Sequence, residues 1–172
     1  MKNILKKIDE EGERWLLLIF YSTIVATVTV EVVRRFGLSY SSIWGEEIAR
    51  YAFIYLAWIG ASAAVKRRAQ IRIDILLHYL PARGKAAVYL FGDIATLVLA
   101  VIVLFLSIEP VLTSIKFGSV THGLQISQAW FFAAVPIGFS MLTFRVIQSI
   151  YRDVNDLIKG RPVYEGDKLI DG

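Results

Sequence analysis

Long apolar runs, each closed off by a cluster of charge, constrain this chain more than any other feature of its sequence. From Trp15 no charged side chain occurs until Glu31, Ala86 to Ile108 carries only Asp93, and Ile126 to Phe144 carries none. Ile43 to Val65 is a fourth run once Glu46, Glu47 and Arg50 near its start are passed. A bilayer-spanning α-helix needs about 20 predominantly apolar residues, because in hydrocarbon every backbone N–H and C=O has to be satisfied within the segment. The pattern therefore predicts an all-α integral membrane protein with transmembrane helices over about 15–35, 43–66, 85–109 and 126–148. Four such spans in 172 residues leave no separate soluble catalytic domain of about 100 residues. The chain reads as a single membrane domain over 1–172, ending in a polar tail at 152–172.

Composition narrows the chemistry. Cysteine is absent, which removes disulfides, thiolate nucleophiles, iron–sulfur clusters and cysteine-ligated zinc together. The two histidines, His78 and His122, fall on opposite sides of the membrane in this reading, so a histidine-ligated haem is not expected. No nucleophile–base set or metal-ligand spacing appears. The prediction is no enzyme, with no catalytic, cofactor-binding or metal residues and no cofactor. A net charge of +4 would suggest nucleic acid in a soluble protein. Here it is better explained by bases gathered on one membrane face, and no nucleic-acid partner is expected. A cleaved signal peptide is disfavoured, because the leading tail mixes Lys2, Lys6, Lys7 and Arg14 with Asp9, Glu10, Glu11 and Glu13, and the apolar run lacks a small-x-small cleavage pattern.

Orientation follows from the bases. The amino-terminal tail, the loop between the second and third spans, and the carboxy-terminal tail hold four, six and five of the 19 Lys and Arg residues. The other two loops hold only Arg34, Arg35 and Lys116. Positive residues stay inside, so both termini are expected in the cytoplasm of a bacterium whose inner membrane holds the chain. Between the second and third spans, residues 70–80 are too short to cross and are closed by Pro81. At helical spacing Gln70, Asp74 and His78 share a narrow face while Ile71, Ile75, Leu76, Leu77, Tyr79 and Leu80 cover the rest. This predicts a short amphipathic helix in the cytoplasmic interface, with Lys66, Arg67 and Arg68 facing anionic lipid headgroups. The alternation of Ile71, Ile73 and Ile75 also fits a short strand, which is disfavoured because a lone strand at a membrane surface leaves its backbone unpaired.

The remaining charges sit at informative depths. At about 1.5 Å of rise per residue, Glu31 lies roughly 24 Å along the helix from Trp15, near the outer surface. Glu46 and Arg50 are i,i+4 neighbours in the favourable order, and Ser41, Ser42, Glu46 and Glu47 suit the start of the second helix as caps and dipole partners. An outer charge cluster of Glu31, Arg34, Arg35, Glu46, Glu47 and Arg50 is expected. It serves either as caps and self-compensating ion pairs or as a surface for a partner subunit. Asp93 lies about 10–12 Å inside the cytoplasmic edge, at a level compatible with Arg145 or Thr143. A structural polar contact there competes with a proton or cation site and with a contact to another subunit.

Transport by this chain alone is not supported. Many secondary transporters hold substrate at midplane between two repeated halves with broken helices. Here the halves differ in loop length and charge, Pro136 lies mid-span in the fourth helix alone, and no cation occupies midplane depth. The main rival is a stand-alone four-helix proton-coupled exporter with Glu31 or Asp93 as the titrating acid, whose discriminating feature is an acid near midplane in the first helix. Glu31 is too close to the outer end for that role.

The stretch Val33-Arg34-Arg35-Phe36 followed by Ile43-Trp44-Gly45-Glu46-Glu47-Ile48-Ala49-Arg50-Tyr51 resembles the small membrane subunit of tripartite ATP-independent periplasmic (TRAP) transporters, the DctQ-like family. The resemblance continues through Gly60-Ala61, Gln70-Ile71-Arg72-Ile73-Asp74, Leu80-Pro81, Gly118 to Ile126 and Pro136-Ile137-Gly138, covering most of residues 15 to 150. Family members commonly have His where Gln70 stands and often a proline near Gln125 or Ser127. Trp44, Glu46, Glu47 and Arg50 match the family motif, and Trp44 independently suits an outer-interface anchor. The resemblance implies a sodium-driven symport system for organic acids such as C4-dicarboxylates or sialic acid. In it a periplasmic substrate-binding protein (DctP-like) delivers substrate to a large membrane subunit (DctM-like), and the small subunit packs beside that subunit as a scaffold without binding substrate.

Overall fold

The computed structural model describes residues 2–40, 42–66 and 82–159, and side chains over 11–40, 42–66 and 84–159. The expected interfacial helix at 70–80, His78, Ser41 and most of the polar tail lie outside the described residues. Within them the chain is helical: α1 (Lys2–Gly37), α2 (Ile43–Lys66), α3 (Ala82–Leu106), α4 (Ile108–Lys116) and α5 (Ala129–Ile158). The four stretches Glu11–Gly37, Ile43–Lys66, Gly84–Lys116 and Ala129–Ile158 are long and apolar enough to cross a membrane.

The helix ends differ from the expected edges for local reasons. The sequence allows the third span to stop or kink at Glu109–Pro110; the chain breaks a little earlier, at Ser107 between α3 and α4, and continues as helix to Lys116. A proline acts on the carbonyl four residues before it, so Pro110 disrupts the turn at Leu106. Ser107 turns back on α3, with its Oγ donating to Leu104 O at 2.9 Å. Beyond α4, Gly118 adopts a left-handed φ of 59°. Ser119 N donates to Ser114 O at 3.1 Å and Gly118 N to Ile115 O at 3.2 Å. These are the two hydrogen bonds of a Schellman cap. The fourth transmembrane helix starts at Ala129 rather than Ile126, because an isolated antiparallel bridge between Val120 and Ser127 holds the preceding residues in a hairpin-like loop. It then runs to Ile158, past the expected edge at 148.

The transmembrane helices form an open row ordered α1–α2–α5–α3, with α4 against α5. Helices α1 and α3 therefore stand at opposite ends, each with one extensive packing partner among the other spans. The seam between α2 and α5 is close because of Gly138: a Cβ there would overlap the Trp58 side chain. Trp58 in turn packs on Phe139 with ring centroids 4.7 Å apart. Around this seam Val65, Ala100, Phe139, Leu142 and Val146 form the buried core. The buried positions of α3, Ala86, Tyr89, Asp93 and Ala100, are spaced by three, four and seven residues, one or two helical turns, and so share the face turned to α5. On the other side Phe91, Val98, Leu99, Ile102 and Phe105 are exposed, as expected of a helix face that meets lipid. Helix α1 joins the row through Phe20, stacked on Tyr55 at 5.5 Å. Tyr55 Oη donates to Trp130 O on α5 at 2.8 Å.

Gly138→Ala is expected to push α2 and α5 apart and destabilise the fold by about 1–3 kcal/mol, the usual range for overpacking. Gly92→Ala, where a Cβ meets nothing within 4 Å, is the control. Thermal unfolding in detergent separates the two; equal midpoints would show that the seam tolerates the methyl group.

Candidate functional site

Polar side chains gather at the two ends of the row. At one end α1 turns into α2. Ser39 takes a φ of 51°, and Leu38 N and Tyr40 N both donate to Arg34 O, at 3.0 and 3.2 Å. This turn brings Glu31 onto the start of α2. Its carboxylate accepts hydrogen bonds from the Ser42 hydroxyl and from Ser42 N at 3.2 Å, so Ser42 bonds α1 where the sequence suggested a cap for α2. Gly45 makes room for that carboxylate, which a Cβ would overlap. Arg34 Nη1 lies 3.5 Å from Glu31 Oε1, and its guanidinium sits over the rings of Tyr40 and Trp44 at 4.8 and 5.2 Å. Trp44 is thus a stacking partner for Arg34 as well as an exposed ring at the helix start.

Glu47 does a second structural job at the same end. Buried at 9% exposure, its two carboxylate oxygens accept Gly123 N and Leu124 N at 2.8 Å each. This clamps the loop between α4 and α5 onto the first turns of α2. The approach is tight: a Cβ on Gly123 would lie 2.9 Å from Trp44 N. Arg35, Glu46 and Arg50 are different. All three are exposed, and with Phe36 they line an open groove of about 370 Å³ between α1 and α2. The expected Glu46–Arg50 ion pair is not formed among the described residues, where Arg34–Glu31 and Arg145–Glu13 are. The expected cluster therefore divides: Glu31, Arg34, Trp44 and Glu47 hold the fold, while Arg35, Glu46 and Arg50 face outward.

At the opposite end the sequence pointed to Asp93 as the neighbour of Arg145. The structure gives that place to Glu13. Arg145 Nε donates to Glu13 Oε1 at 2.7 Å, with both side chains under 10% exposed. Ser62 Oγ donates to the same oxygen at 3.3 Å, and Arg145 Nη1 donates to Gln148 Oε1 at 2.7 Å. One carboxylate thus ties α1 to α2 and α5. Asp93 is buried on α3 at 6% exposure, and its Oδ2 has no hydrogen-bond partner among the described residues, nor has Thr143 Oγ1. Glu13 was missed because it reads as one of several tail charges before Trp15. The available signal was depth: Arg145 directly follows the last apolar residue of its span and Glu13 precedes the first of its own, so both mark the same membrane edge. Among the described residues no three His, Cys, Asp or Glu side chains gather as a metal site requires.

These arrangements join helices; they do not assemble a reacting centre. Residues 24–156 match the family described as tripartite ATP-independent periplasmic transporters, DctQ component. The chain belongs to the DctQ family. It is 27% identical over 148 residues to the sialic acid TRAP transporter small permease protein SiaQ of Vibrio cholerae, covering 86% of this chain and 84% of that one. It is 26% identical over 153 residues to the isethionate TRAP transporter permease protein DctMQ of Oleidesulfovibrio alaskensis, covering 86% of this chain but 24% of that longer protein. The ectoine TRAP transporter small permease protein TeaB of Halomonas elongata is 25% identical over 150 residues, 87% of this chain and 76% of TeaB. With its four spans, this DctQ-family chain is a multi-pass membrane protein and a transport component.

Arg145→Met leaves the Glu13 carboxylate buried without its partner and is expected to cost about 3–5 kcal/mol of stability, whereas Glu13→Met with Arg145→Met recovers most of it. Thermal unfolding of the single and double variants in detergent measures the difference. Glu47→Ala removes two charge-assisted hydrogen bonds, each worth about 1.5–3 kcal/mol. Faster hydrogen exchange at the Gly123 and Leu124 amides is the expected result, with the Val65–Val146 core unchanged.

Proposed function

We propose that this chain is the small permease subunit of a sodium-driven TRAP transporter for an organic acid, of the C4-dicarboxylate or sialic acid kind, in a bacterial inner membrane. It braces a large DctM-like subunit that carries the substrate, while a periplasmic DctP-like protein delivers it. Both termini are cytoplasmic, and the outer groove faces the periplasm. The observation that carries this reading is how the polar groups are used. Glu13, Arg145, Glu31, Arg34 and Glu47 all bond helix to helix or helix to loop, which among the described residues leaves no cation set in the membrane interior to hold an anion. An open row with α1 packed on one side is also the shape of a part that is completed by another protein.

The relatives support the same reading. The protein whose name joins M and Q extends well beyond the segment that this chain matches, as a fusion of a large and a small permease would. The stand-alone exporter is not favoured: of its two candidate titrating acids, Glu31 is bonded to Ser42 and Arg34 at the helix end, and Asp93 lies on α3, not on the first helix.

Reconstitution tests the role. Proteoliposomes with this chain alone should take up no organic acid under a sodium gradient, and those with the large subunit and binding protein added should. Glu46→Lys with Arg50→Glu, residues that are exposed and form no ion pair among the described residues, should lower co-purification with the large subunit while leaving membrane insertion intact. Uptake by the chain alone would overturn the bracing role.

A further inference from the structure

We infer that the groove between α1 and α2 at the Glu31 end holds the headgroup of one phospholipid that carries a primary ammonium beside its phosphate, an ethanolamine phospholipid. Arg50 is where the observations begin. It is exposed and lies six residues past Trp44, roughly 9 Å further along α2, so it sits more than a turn inside the level of the ring that anchors the helix start. It forms no ion pair among the described residues. The neighbouring acids are taken: Glu31 by Ser42 and Arg34, and Glu47 by the Gly123 and Leu124 amides. A cation below the membrane surface is costly until an anion meets it, and the anion that a bilayer itself supplies at headgroup level is phosphate.

The order of groups along α2 selects the headgroup. Glu46, Arg50 and Phe53 follow one another at spacings of four and three residues and so share one face. All three are exposed, and Glu46 and Arg50 line the groove. From the helix start inward they present an acid, a base and an apolar ring. An ethanolamine phospholipid presents its ammonium, its phosphate and its acyl chains in the same order from the surface inward. Its ammonium donates to Glu46, Arg50 donates to its phosphate in a charge-assisted bond, and its chains run on over Phe53 and the exposed Val25 of α1. Phosphatidylglycerol brings no cation for Glu46, and the quaternary ammonium of phosphatidylcholine has no N–H to donate. The groove's volume of about 370 Å³ is less than the roughly 420 Å³ of a single turn of helix 10 Å across. A helix of the large subunit proposed above therefore meets the rim of the groove and leaves its interior to the lipid. The leaflet is the periplasmic one if the topology proposed above holds.

Native mass spectrometry of the full chain in detergent, titrated in turn with phosphatidylethanolamine, phosphatidylglycerol and phosphatidylcholine, tests the site without any transport partner. Its failure is therefore separate from failure of the transporter reading. The natural chain should retain phosphatidylethanolamine over the other two. Arg50→Gln should weaken that retention about fivefold, the share of one base at a membrane surface. Glu46→Gln should abolish the preference over phosphatidylglycerol, because the phosphate contact remains and the ammonium contact does not. Lys116→Gln, which removes an exposed base from α4, should change neither, and helical circular dichroism should be the same for all three variants. Equal retention of the three lipids by the natural chain, or a preference that survives Arg50→Gln or Glu46→Gln, overturns the site. An equal loss in Lys116→Gln marks a general surface charge effect and overturns it too. A chain that retains no lipid, yet loses the large subunit in Arg50→Gln, gives Arg50 to that subunit alone and overturns it as well.

Discussion

The bond between Glu13 and Arg145 organises one end of this membrane unit. Helix α1 packs extensively on α2, and from Trp15 to Phe36 it exposes many large apolar side chains. In lipid, exposed apolar surface gives no drive to associate, because the tails are as apolar as the side chains. Close packing and directional polar contacts between helices therefore set position. Arg145 on α5 reaches Glu13 on α1 and leaves Ser62 on α2 bonded to the same oxygen, so three helices share one register. Removing either charge takes away the other's buried ion-pair partner.

The opposite end repeats the principle with different parts. There Glu31 ties α1 to Ser42, and Glu47 ties α2 to the loop before α5. The two glycines beside these contacts, Gly45 and Gly123, have no room for a Cβ. With carboxylates fixed at both ends and Gly138 against Trp58 between them, the row is held along its whole height. A row held in this way has a fixed shape and two free edges. The edge at α3 is lined by large apolar side chains. The edge at α1 and α2 carries grooves with charged residues, where the contact with the large subunit is proposed.

The motif that first suggested the family, Trp44 through Arg50, turns out to contain two kinds of residue. Trp44 and Glu47 are structural: one stacks on Arg34, and the other clamps a loop from 76 positions away in sequence. Glu46 and Arg50 face outward. Their shared sequence neighbourhood gave no means to separate them, because helical spacing places Glu46 and Arg50 together as an i,i+4 pair whether or not they bond.

Four spans and an all-helical fold were readable from the chain itself, because hydrocarbon permits few backbone solutions and these runs of apolar residues leave only one of them open. Family membership was readable too, from residues in order along the chain. Which buried charge meets which was not. Arg145 had two acids at compatible depths, Asp93 and Glu13, and depth along a helix says nothing of its direction around the axis or of which helices are neighbours. The direction Arg145 takes from α5 decided that: it reaches Glu13 on α1, past α2 in the order α1–α2–α5–α3, although α3 with Asp93 is the neighbouring helix. The early break at Ser107 belongs between these cases: Pro110 announced it, but the carbonyl it disrupts lies a turn upstream.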